Sequence, residues 1–314
     1  MKKYLYKVTA FFWLFAMTIM LLGAVLPYNR DGYLREQVVK MAMIDDPARE
    51  SAIVLLGGSN VAFGFDSKAL EEKTGMPVIN AGLHAGLGLK YMMADCLPRL
   101  RKGDVLVFSP EYDHFFSNTC NGQGALADMF YLNSMSLPGE VSAGQWRTVI
   151  DNTPAWLKRK VEYYILELAH LKTEHVYHLS SFNKYGDVTW HWDNNRPHGT
   201  PKGSGKSEEV KDFNEDFFAE VVTALDEVKK RGVKVVMFPP ALERDAYIDK
   251  QKKIEYITSR FFKVGFRYAC APDHEAMDKS MFYDTVYHLN HEGAVKHTET
   301  LVDIIKVDSF NSHP

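Results

Sequence analysis

Short apolar runs alternate with amphipathic stretches along most of the chain, which predicts an α/β domain with a parallel sheet and helices on both of its faces. Four runs have the length and the flanking turn residues of buried strands: 52–56, 78–80, 104–108 and 233–238. Amphipathic spacing predicts helices at 67–73, 88–100, about 208–231 and about 291–305. Because ligands bind at the carboxyl ends of the strands in such sheets, the residues that follow these runs are the first candidates for function.

The first residues of the chain depart from this alternation. Lys2, Lys3 and Lys7 precede an uncharged, mostly apolar run at 8–27, which has about the length of one pass through a bilayer core. Lysines on one flank without acidic residues predict that the N-terminus stays in the cytoplasm and that the domain lies outside. A cleaved signal peptide is the alternative, but its apolar region is usually only about 7–15 residues long. We therefore expect a single-pass helix in the cytoplasmic membrane, with residues 8–27 in lipid and an extracytoplasmic (periplasmic or extracellular) domain.

The chain divides into a cytoplasmic stub with the membrane helix (1–28), a charged juxtamembrane helix or linker (29–50) and an α/β domain (51–314). Within the domain, residues 118–206 interrupt the alternation of strands and helices, and their last part is rich in Gly, Asn, Pro, His and Trp. Long loops in compact domains are more often functional than accidental. We expect this insertion to cap or line the cleft.

Composition and charge narrow the class of protein. Of the 314 residues, 46% are hydrophobic and 25% are charged, which is typical of a globular domain with a full core. A formal net charge of −3 without a basic stripe argues against a nucleic-acid partner. Three cysteines without a CxxC pair argue against a zinc site built on cysteine, and a metal site from His175, His178 and His191 is only a weak alternative to the expectation of no metal. The chain has no P-loop and no dinucleotide fingerprint, so we expect no cofactor.

Serine chemistry is the strongest functional signal. Gly57-Gly58-Ser59-Asn60 follows directly on the first predicted strand, so a glycine-flanked turn would present the Ser59 hydroxyl to the cleft. His288 stands just before the last predicted helix, and Asp284 precedes it by four residues. A serine hydroxyl becomes a good nucleophile when a histidine accepts its proton and a carboxylate orients that histidine. His291 is a weaker alternative to His288 as the base.

These segments, together with Asn80-Ala81-Gly82-Leu83-His84-Ala85-Gly86, resemble three sequence blocks of the SGNH/GDSL hydrolase superfamily, in the family's order. The similarity covers roughly residues 50–305 and is greatest to the membrane-anchored extracytoplasmic branch, which includes enzymes that add or remove acetyl groups on cell-surface polysaccharides. It implies a flavodoxin-like three-layer α/β fold. It also implies an esterase or O-acyltransferase in which Ser59 attacks the acyl carbonyl, His288 moves the proton and Asp284 orients His288. The family usually places this aspartate three residues before the histidine, rather than four.

The resemblance is incomplete where an oxyanion would be stabilised. The Ser59 N–H is one expected donor, and Gly86, with Gly82 as the alternative, would supply the second that the family uses. The family's third donor is an asparagine after the third strand, but residues 109–114 read Ser-Pro-Glu-Tyr-Asp-His. Asn60 is a candidate substitute. Glu111 in that stretch would repel an oxyanion unless it is protonated.

Several positions are candidates for substrate binding. Two follow the third strand and three belong to an aromatic loop whose rings suit stacking on sugars: Glu111, Tyr112, Tyr185, Trp190 and Trp192. The expected substrate is a glycan or a small acyl ester, with a membrane-bound partner as acyl donor in the case of transfer. Two alternatives stay open. One is a catalytically inactive SGNH-like module that binds glycan or assembles an envelope polysaccharide system, and the other is a membrane-anchored scaffold of unrelated fold.

Overall fold

A sheet of four strands lies at the centre of the computed structural model, and each neighbouring pair in it is parallel. The structure describes residues 2–25, 32–169, 176–193 and 209–311, except for the side chains at 2, 16, 19–25 and 308–311. The four strands are β1 (Ile53–Leu56), β2 (Val78–Asn80), β3 (Val105–Phe108) and β4 (Lys234–Met237). Their order across the sheet is β2-β1-β3-β4. They coincide with the four predicted strands, so the prediction of a parallel α/β domain is confirmed.

Helices connect and flank these strands. In the described part of the chain they are α1 (Lys2–Val25), α2 (Glu36–Asp45), α3 (Ser59–Ala62), α4 (Ser67–Thr74), α5 (Leu89–Cys96), α6 (Gly124–Leu132), α7 (Ala143–Leu168), α8 (Trp190–Asp193), α9 (Glu215–Lys230), α10 (Arg244–Lys263) and α11 (His291–Asn311). A separate parallel pair consists of β5 (Leu242–Glu243) and β6 (Ala276–Met277). Strands of two residues are too short to leave a periodic signal in the sequence.

The predicted helices agree with α4, α5 and α11, whereas two other helices differ from the expectation. α9 begins later than predicted, because the Asn214 side chain accepts a hydrogen bond from the Phe217 N–H and caps the helix there. α10 is absent from the prediction, although Ile254, Ile257 and Phe261 have helical spacing and are buried. Many charged residues lie between these apolar positions, so the helical spacing is hard to recognise in the sequence.

Successive side chains of β1 enter two different cores, because neighbouring residues of a strand point to opposite faces. Val54 and Leu56 pack with buried residues of α2, α5 and α9. Ile53 and Leu55 pack with buried residues of α4 and α11. All four side chains are at most 1% exposed. Helices therefore cover both faces of the sheet, and β1 is its most enclosed strand.

α2 lies within the segment predicted as a juxtamembrane helix or linker, and it packs into the domain. Its Met41 and Ile44 belong to the core. Lys40 on the same helix is 0% exposed. The Lys40 Nζ donates hydrogen bonds to the carbonyl of Gly82, in the turn after β2, and to that of Gly186 at 2.7 Å. This lysine therefore joins α2 to two loops at the carboxyl edge of the sheet.

Parts of the predicted organisation fall outside the described residues. Among the residues that are described, we find no helix that combines the length and apolar character needed to cross a bilayer. Positions 26–27 of the predicted membrane segment are not among them. The same holds for positions 170–175 and 194–206 of the predicted insertion.

A buried ion pair fixes the amino ends of the two central strands. Asp104 precedes β3, its side chain is 0% exposed, and its two oxygens accept hydrogen bonds from the Arg49 guanidinium at 2.7 and 2.8 Å. It also accepts from the backbone N–H groups of Ala52 and Arg101. Burial opposes ionisation of Asp104, but these hydrogen bonds and the charge of Arg49 outweigh it and lower the pKa of the carboxyl.

We expect Asp104→Asn to destabilise the fold by about 3–5 kcal/mol, because it leaves the Arg49 guanidinium buried without its counter-charge. Urea unfolding followed by circular dichroism measures this loss. Glu299→Gln is the control, since the Glu299–Lys73 pair is solvent-exposed and exposed pairs contribute only about 0–1 kcal/mol. Similar small losses for both variants would contradict the central role of Asp104.

Candidate active site

Ser59 is the first residue of α3 and follows β1 after a turn of two glycines. The turn is closely packed. A Cβ on Gly57 would lie 2.4 Å from the carbonyl oxygen of Ser109, and one on Gly58 would lie 2.9 Å from Glu111 Oε1 and 3.1 Å from the Ala85 Cα. Only glycine fits such approaches. Because the two glycines have no side chains, the segments after β2 and β3 pack directly against the turn. Ser59 itself is partly exposed.

His288 and Asp284 form the pair that the sequence predicts. His288 Nδ1 lies 2.7 Å from Asp284 Oδ1, and the Tyr177 hydroxyl donates to the other carboxylate oxygen at 2.7 Å. The imidazole stacks on Phe63, with ring centroids 4.0 Å apart and planes at 6°. Since Nδ1 faces the carboxylate, the ring proton lies there and Nε2 is left to act as a base. The loop accommodates the extra residue between Asp284 and His288 without loss of this contact.

Asp284 is held in its ionised form. Its partial burial alone would raise the pKa of the carboxyl, but the hydrogen bond and charge of His288 and the hydrogen bond from Tyr177 lower it below its usual value. An ionised carboxylate at this place fixes the tautomer of His288. It would also stabilise the imidazolium that forms when His288 accepts a proton.

Glu111 is the immediate partner of the Ser59 hydroxyl. Its Oε1 accepts hydrogen bonds from Ser59 Oγ at 3.2 Å and from the Asn60 N–H at 3.4 Å. Glu111 follows β3 and is 8% exposed. Burial raises the pKa of this carboxyl, whereas the nearby His288 and the two hydrogen bonds act in the opposite direction. Within the described part of the chain, the Ser59 hydroxyl therefore bonds to Glu111 and not to His288.

Two of the predicted oxyanion donors are already engaged. The Gly86 N–H donates to His84 Nδ1 at 2.9 Å. The Asn60 side chain braces the turn instead, because its Oδ1 accepts from the Gly58 N–H and its Nδ2 donates to the Ser109 carbonyl.

The alternative donor, Gly82, is engaged as well, since its N–H donates to the side chain of Asn80 at 3.0 Å. Among the described residues, the Ser59 N–H makes no hydrogen bond. It is the one predicted donor that is ready to receive an oxyanion in this structure.

The predicted substrate-binding residues, apart from Glu111, are not gathered around Ser59. Tyr112 is 1% exposed and belongs to the core. The Tyr185 hydroxyl donates to Glu71 of α4 at 3.2 Å. Trp190 packs partly against the core, and Trp192 stacks on His291 with ring centroids 4.2 Å apart. These aromatic side chains therefore make separate structural contacts, and the His291 ring takes part in one of them by stacking on Trp192.

Two of the three histidines weighed for a metal site, His178 and His191, make other contacts. His191 is 0% exposed and its Nε2 donates to the Leu289 carbonyl at 2.9 Å, which is a structural contact. His178 caps a short turn through Ser180. His175 lies outside the described residues. Across the described ranges, no three His, Cys, Asp or Glu side chains are placed to hold a metal ion together.

Three residues of the site are missing from the sequence prediction: Phe63, His84 and Tyr177. Phe63 lies one turn after Ser59, and His84 belongs to the block that resembles the hydrolase family, so both had a local signal. Tyr177 had none, because it lies in the insertion and reaches Asp284 across 107 positions of sequence.

Comparison with known proteins adds no assignment. No family model, no curated protein and no solved structure gives a significant match to this chain. The similarity to SGNH hydrolases therefore stays a prediction from the residues quoted above.

We expect Glu111→Gln to stabilise the protein at pH 8 and to have much less effect at pH 4. Burial raises the pKa of Glu111 in the folded state, so its contribution to stability is full below the unfolded value of about 4.3 and is lost as the pH rises through the folded pKa. A glutamine avoids that loss and keeps an acceptor for Ser59. Thermal unfolding at the two pH values measures the difference.

Glu72→Gln is the matched control, because Glu72 is exposed and its ion pair is with Lys68, one turn away on the same face of α4. It should change the unfolding temperature little at either pH. An equal effect of Glu111→Gln at pH 4 and pH 8 would contradict the buried, titrating carboxyl.

Proposed function

We propose that the protein transfers acyl groups through Ser59, as an esterase or O-acyltransferase that acts on ester-linked acyl groups, with acetyl as the expected one, of a cell-envelope glycan. The observation that carries the proposal is the Tyr177–Asp284–His288 chain of hydrogen bonds beside a partly exposed serine on a glycine turn. A base oriented by an ionised carboxylate is what a serine nucleophile requires. The ordered similarity to SGNH hydrolases supplies the class of substrate.

In the proposed reaction, the Ser59 hydroxyl breaks its hydrogen bond to Glu111. Ser59 Oγ then attacks the acyl carbonyl carbon while His288 Nε2 accepts the hydroxyl proton. The tetrahedral intermediate carries its negative charge on the former carbonyl oxygen, next to the Ser59 N–H. It collapses when the ester C–O bond breaks, and His288 returns the proton to the departing alcohol. Water or a sugar hydroxyl then attacks the acyl-serine by the same steps in reverse order.

The arrangement of the sheet supports a flavodoxin-like, SGNH-like fold as part of this proposal. The order β2-β1-β3-β4 with all strands parallel brings the segments after three neighbouring strands to one edge. His84 follows β2, Ser59 follows β1 and Glu111 follows β3. In open sheets of this type the ligand binds at that edge.

We also propose that residues 8–27 hold the protein in the cytoplasmic membrane with the domain on the outside, where an envelope glycan is found. The uncharged sequence and the preceding lysines support this placement. The aromatic side chains of α1 support it as well. Phe11, Trp13 and Phe15 are 55–67% exposed, and a lipid bilayer would bury their apolar surface away from water. For the transferase reaction, a membrane-bound partner would deliver the acyl donor.

A second function is favoured by one specific observation. Glu111 accepts hydrogen bonds from Ser59 and from the Asn60 N–H, and His84 accepts that of Gly86. A carboxylate fixed at a serine nucleophile opposes the build-up of negative charge there. A catalytically inactive module that binds glycan would keep such an arrangement at no cost to its function.

We expect a fluorophosphonate probe to form one adduct on the full-length protein in detergent, at Ser59. Ser59→Ala should remove the adduct, and His288→Ala should slow its formation by roughly 10²-fold or more, because general-base catalysis typically contributes 10²–10⁴. Intact-mass spectrometry and peptide mapping give the rate and the position. His274→Ala, an exposed histidine, is the control and should label at the wild-type rate.

Absence of an adduct from a folded protein would favour the inactive binding module. Loss of the adduct in His291→Ala with retention in His288→Ala would move the base to His291 and contradict the proposed assignment.

We expect Asp284→Asn to slow the labelling of Ser59 by roughly 10²-fold or more, because the amide no longer holds the productive tautomer of His288. Tyr177→Phe removes one of the two hydrogen bonds to the same carboxylate and should cause a smaller loss. The labelling rates of the two variants, compared at one pH, test this order. A wild-type rate in Asp284→Asn would exclude Asp284 from the mechanism.

A further inference from the structure

The proposed reaction has too few donors for its oxyanion. The asparagine expected after β3 is replaced by the stretch with Glu111, and the Gly86 N–H is bonded to His84. The Ser59 N–H is then the one remaining predicted donor, whereas two or three donors usually stabilise the negative charge of an oxyanion. Another donor at the same edge of the sheet is therefore required if Ser59 is the nucleophile.

We propose that His84 is a catalytic residue whose Nε2–H donates a hydrogen bond to the oxyanion formed at the Ser59-bound acyl group. This assignment rests on the proposed function. It adds to that function a neutral imidazole as electrophile, which follows β2 and would compensate for the amide donor that the sequence lacks after β3.

The hydrogen bonds of His84 set its tautomer. Its Nδ1 accepts the Gly86 N–H at 2.9 Å, and this contact caps the short 3₁₀ turn at Ala85–Leu87. A nitrogen that accepts carries no proton, so the proton of the neutral ring is on Nε2. Within the described residues, Nε2 makes no hydrogen bond and is not sealed from solvent. It is a donor without a partner in the resting site.

The position of the ring follows from the packing of its turn. A Cβ on Gly58 would lie 3.1 Å from the Ala85 Cα, so the segment that carries His84 presses against the turn that carries Ser59. Tyr33 holds the imidazole edge-on, with ring centroids 6.4 Å apart, and its own hydroxyl donates to the Leu83 carbonyl at 2.8 Å. The turn and the ring are therefore fixed before substrate binds, as an oxyanion donor requires.

The charge state of His84 also suits this role. Burial and the neighbouring His288 lower the pKa of His84 to about 4. His84 is therefore neutral near pH 7, and it adds no positive charge beside the imidazolium that would form when His288 takes the Ser59 proton. A neutral imidazole donates through N–H to a developing oxyanion without giving up its proton.

Glu111 is the competing donor and is less suitable. Its Oε1 already accepts from Ser59 Oγ and from the Asn60 N–H. It could therefore donate only through Oε2, and only while the carboxyl is protonated. The neutral His84 ring already carries its proton on Nε2.

Two substitutions distinguish the roles of the two ring nitrogens of His84. Asparagine keeps an acceptor close to the place of Nδ1 and so retains the cap on Gly86, but it does not reach the place of Nε2. Glutamine puts an N–H donor near the place of Nε2 and loses the cap. We expect His84→Asn to lower kcat for p-nitrophenyl acetate by roughly 10²-fold, the typical effect of losing one oxyanion donor, with KM little changed. His84→Gln should retain most of kcat.

The experiment uses the full-length protein in detergent, with Ser59→Ala as the blank and the unfolding temperature of each variant as the check on folding. Higher kcat in His84→Gln than in His84→Asn supports the proposal. The opposite order, or wild-type kcat in His84→Asn, overturns it while the proposed serine chemistry stands. Absence of Ser59-dependent hydrolysis in the wild-type protein overturns both. If His84→Asn does not fold, His84→Ser takes its place as the variant with a capping oxygen and no distant donor.

Discussion

The close packing around the Gly57–Gly58 turn is the constraint on which the rest of the site depends. The Ser109 carbonyl and Glu111 reach the turn from beyond β3, and Ala85 reaches it from beyond β2. Any side chain on these glycines would push the two segments away. Because three parallel strands end at the same edge, the turn places the Ser59 hydroxyl beside Glu111 and next to the segment that carries His84.

Burial then gives each titratable group at this edge a different state. Asp284 has a lowered pKa because His288 and Tyr177 donate to it, and Glu111 has a raised pKa because its burial outweighs the opposing effects of His288 and of its two hydrogen bonds. His84 has a lowered pKa because it is buried beside a second histidine. Environments that separate the pKa values of neighbouring groups are a common feature of acid–base sites. In the proposed reaction, they give Asp284 the role of an orienting carboxylate, Glu111 that of a carboxyl that holds the Ser59 hydroxyl, and His84 that of a neutral donor.

The segments around the site are tied to the N-terminal part of the domain. Lys40 of α2 bonds to the carbonyls of Gly82 and Gly186, and Tyr33 bonds to that of Leu83. Burial lowers the pKa of Lys40 to about 7, partly offset by Glu36, whose own pKa burial raises to about 7. The loop that carries His84 is thus held by residues that precede the first strand.

Local patterns in the sequence determined the four strands, the capped helix α4 and the serine turn, because apolar periodicity, a capping Asp66 and the glycines act over a few residues. They also placed Asp284 within reach of His288, since the two are neighbours along the chain. The tertiary structure alone decided that the Ser59 hydroxyl donates a hydrogen bond to Glu111, 52 positions away in sequence. It also decided that the Tyr177 hydroxyl donates to Asp284, 107 positions away. It also decided that Asn60 and Gly86 are engaged elsewhere. Such contacts join segments that are distant in sequence, so their partners depend on how the strands and loops pack and leave no local pattern to read.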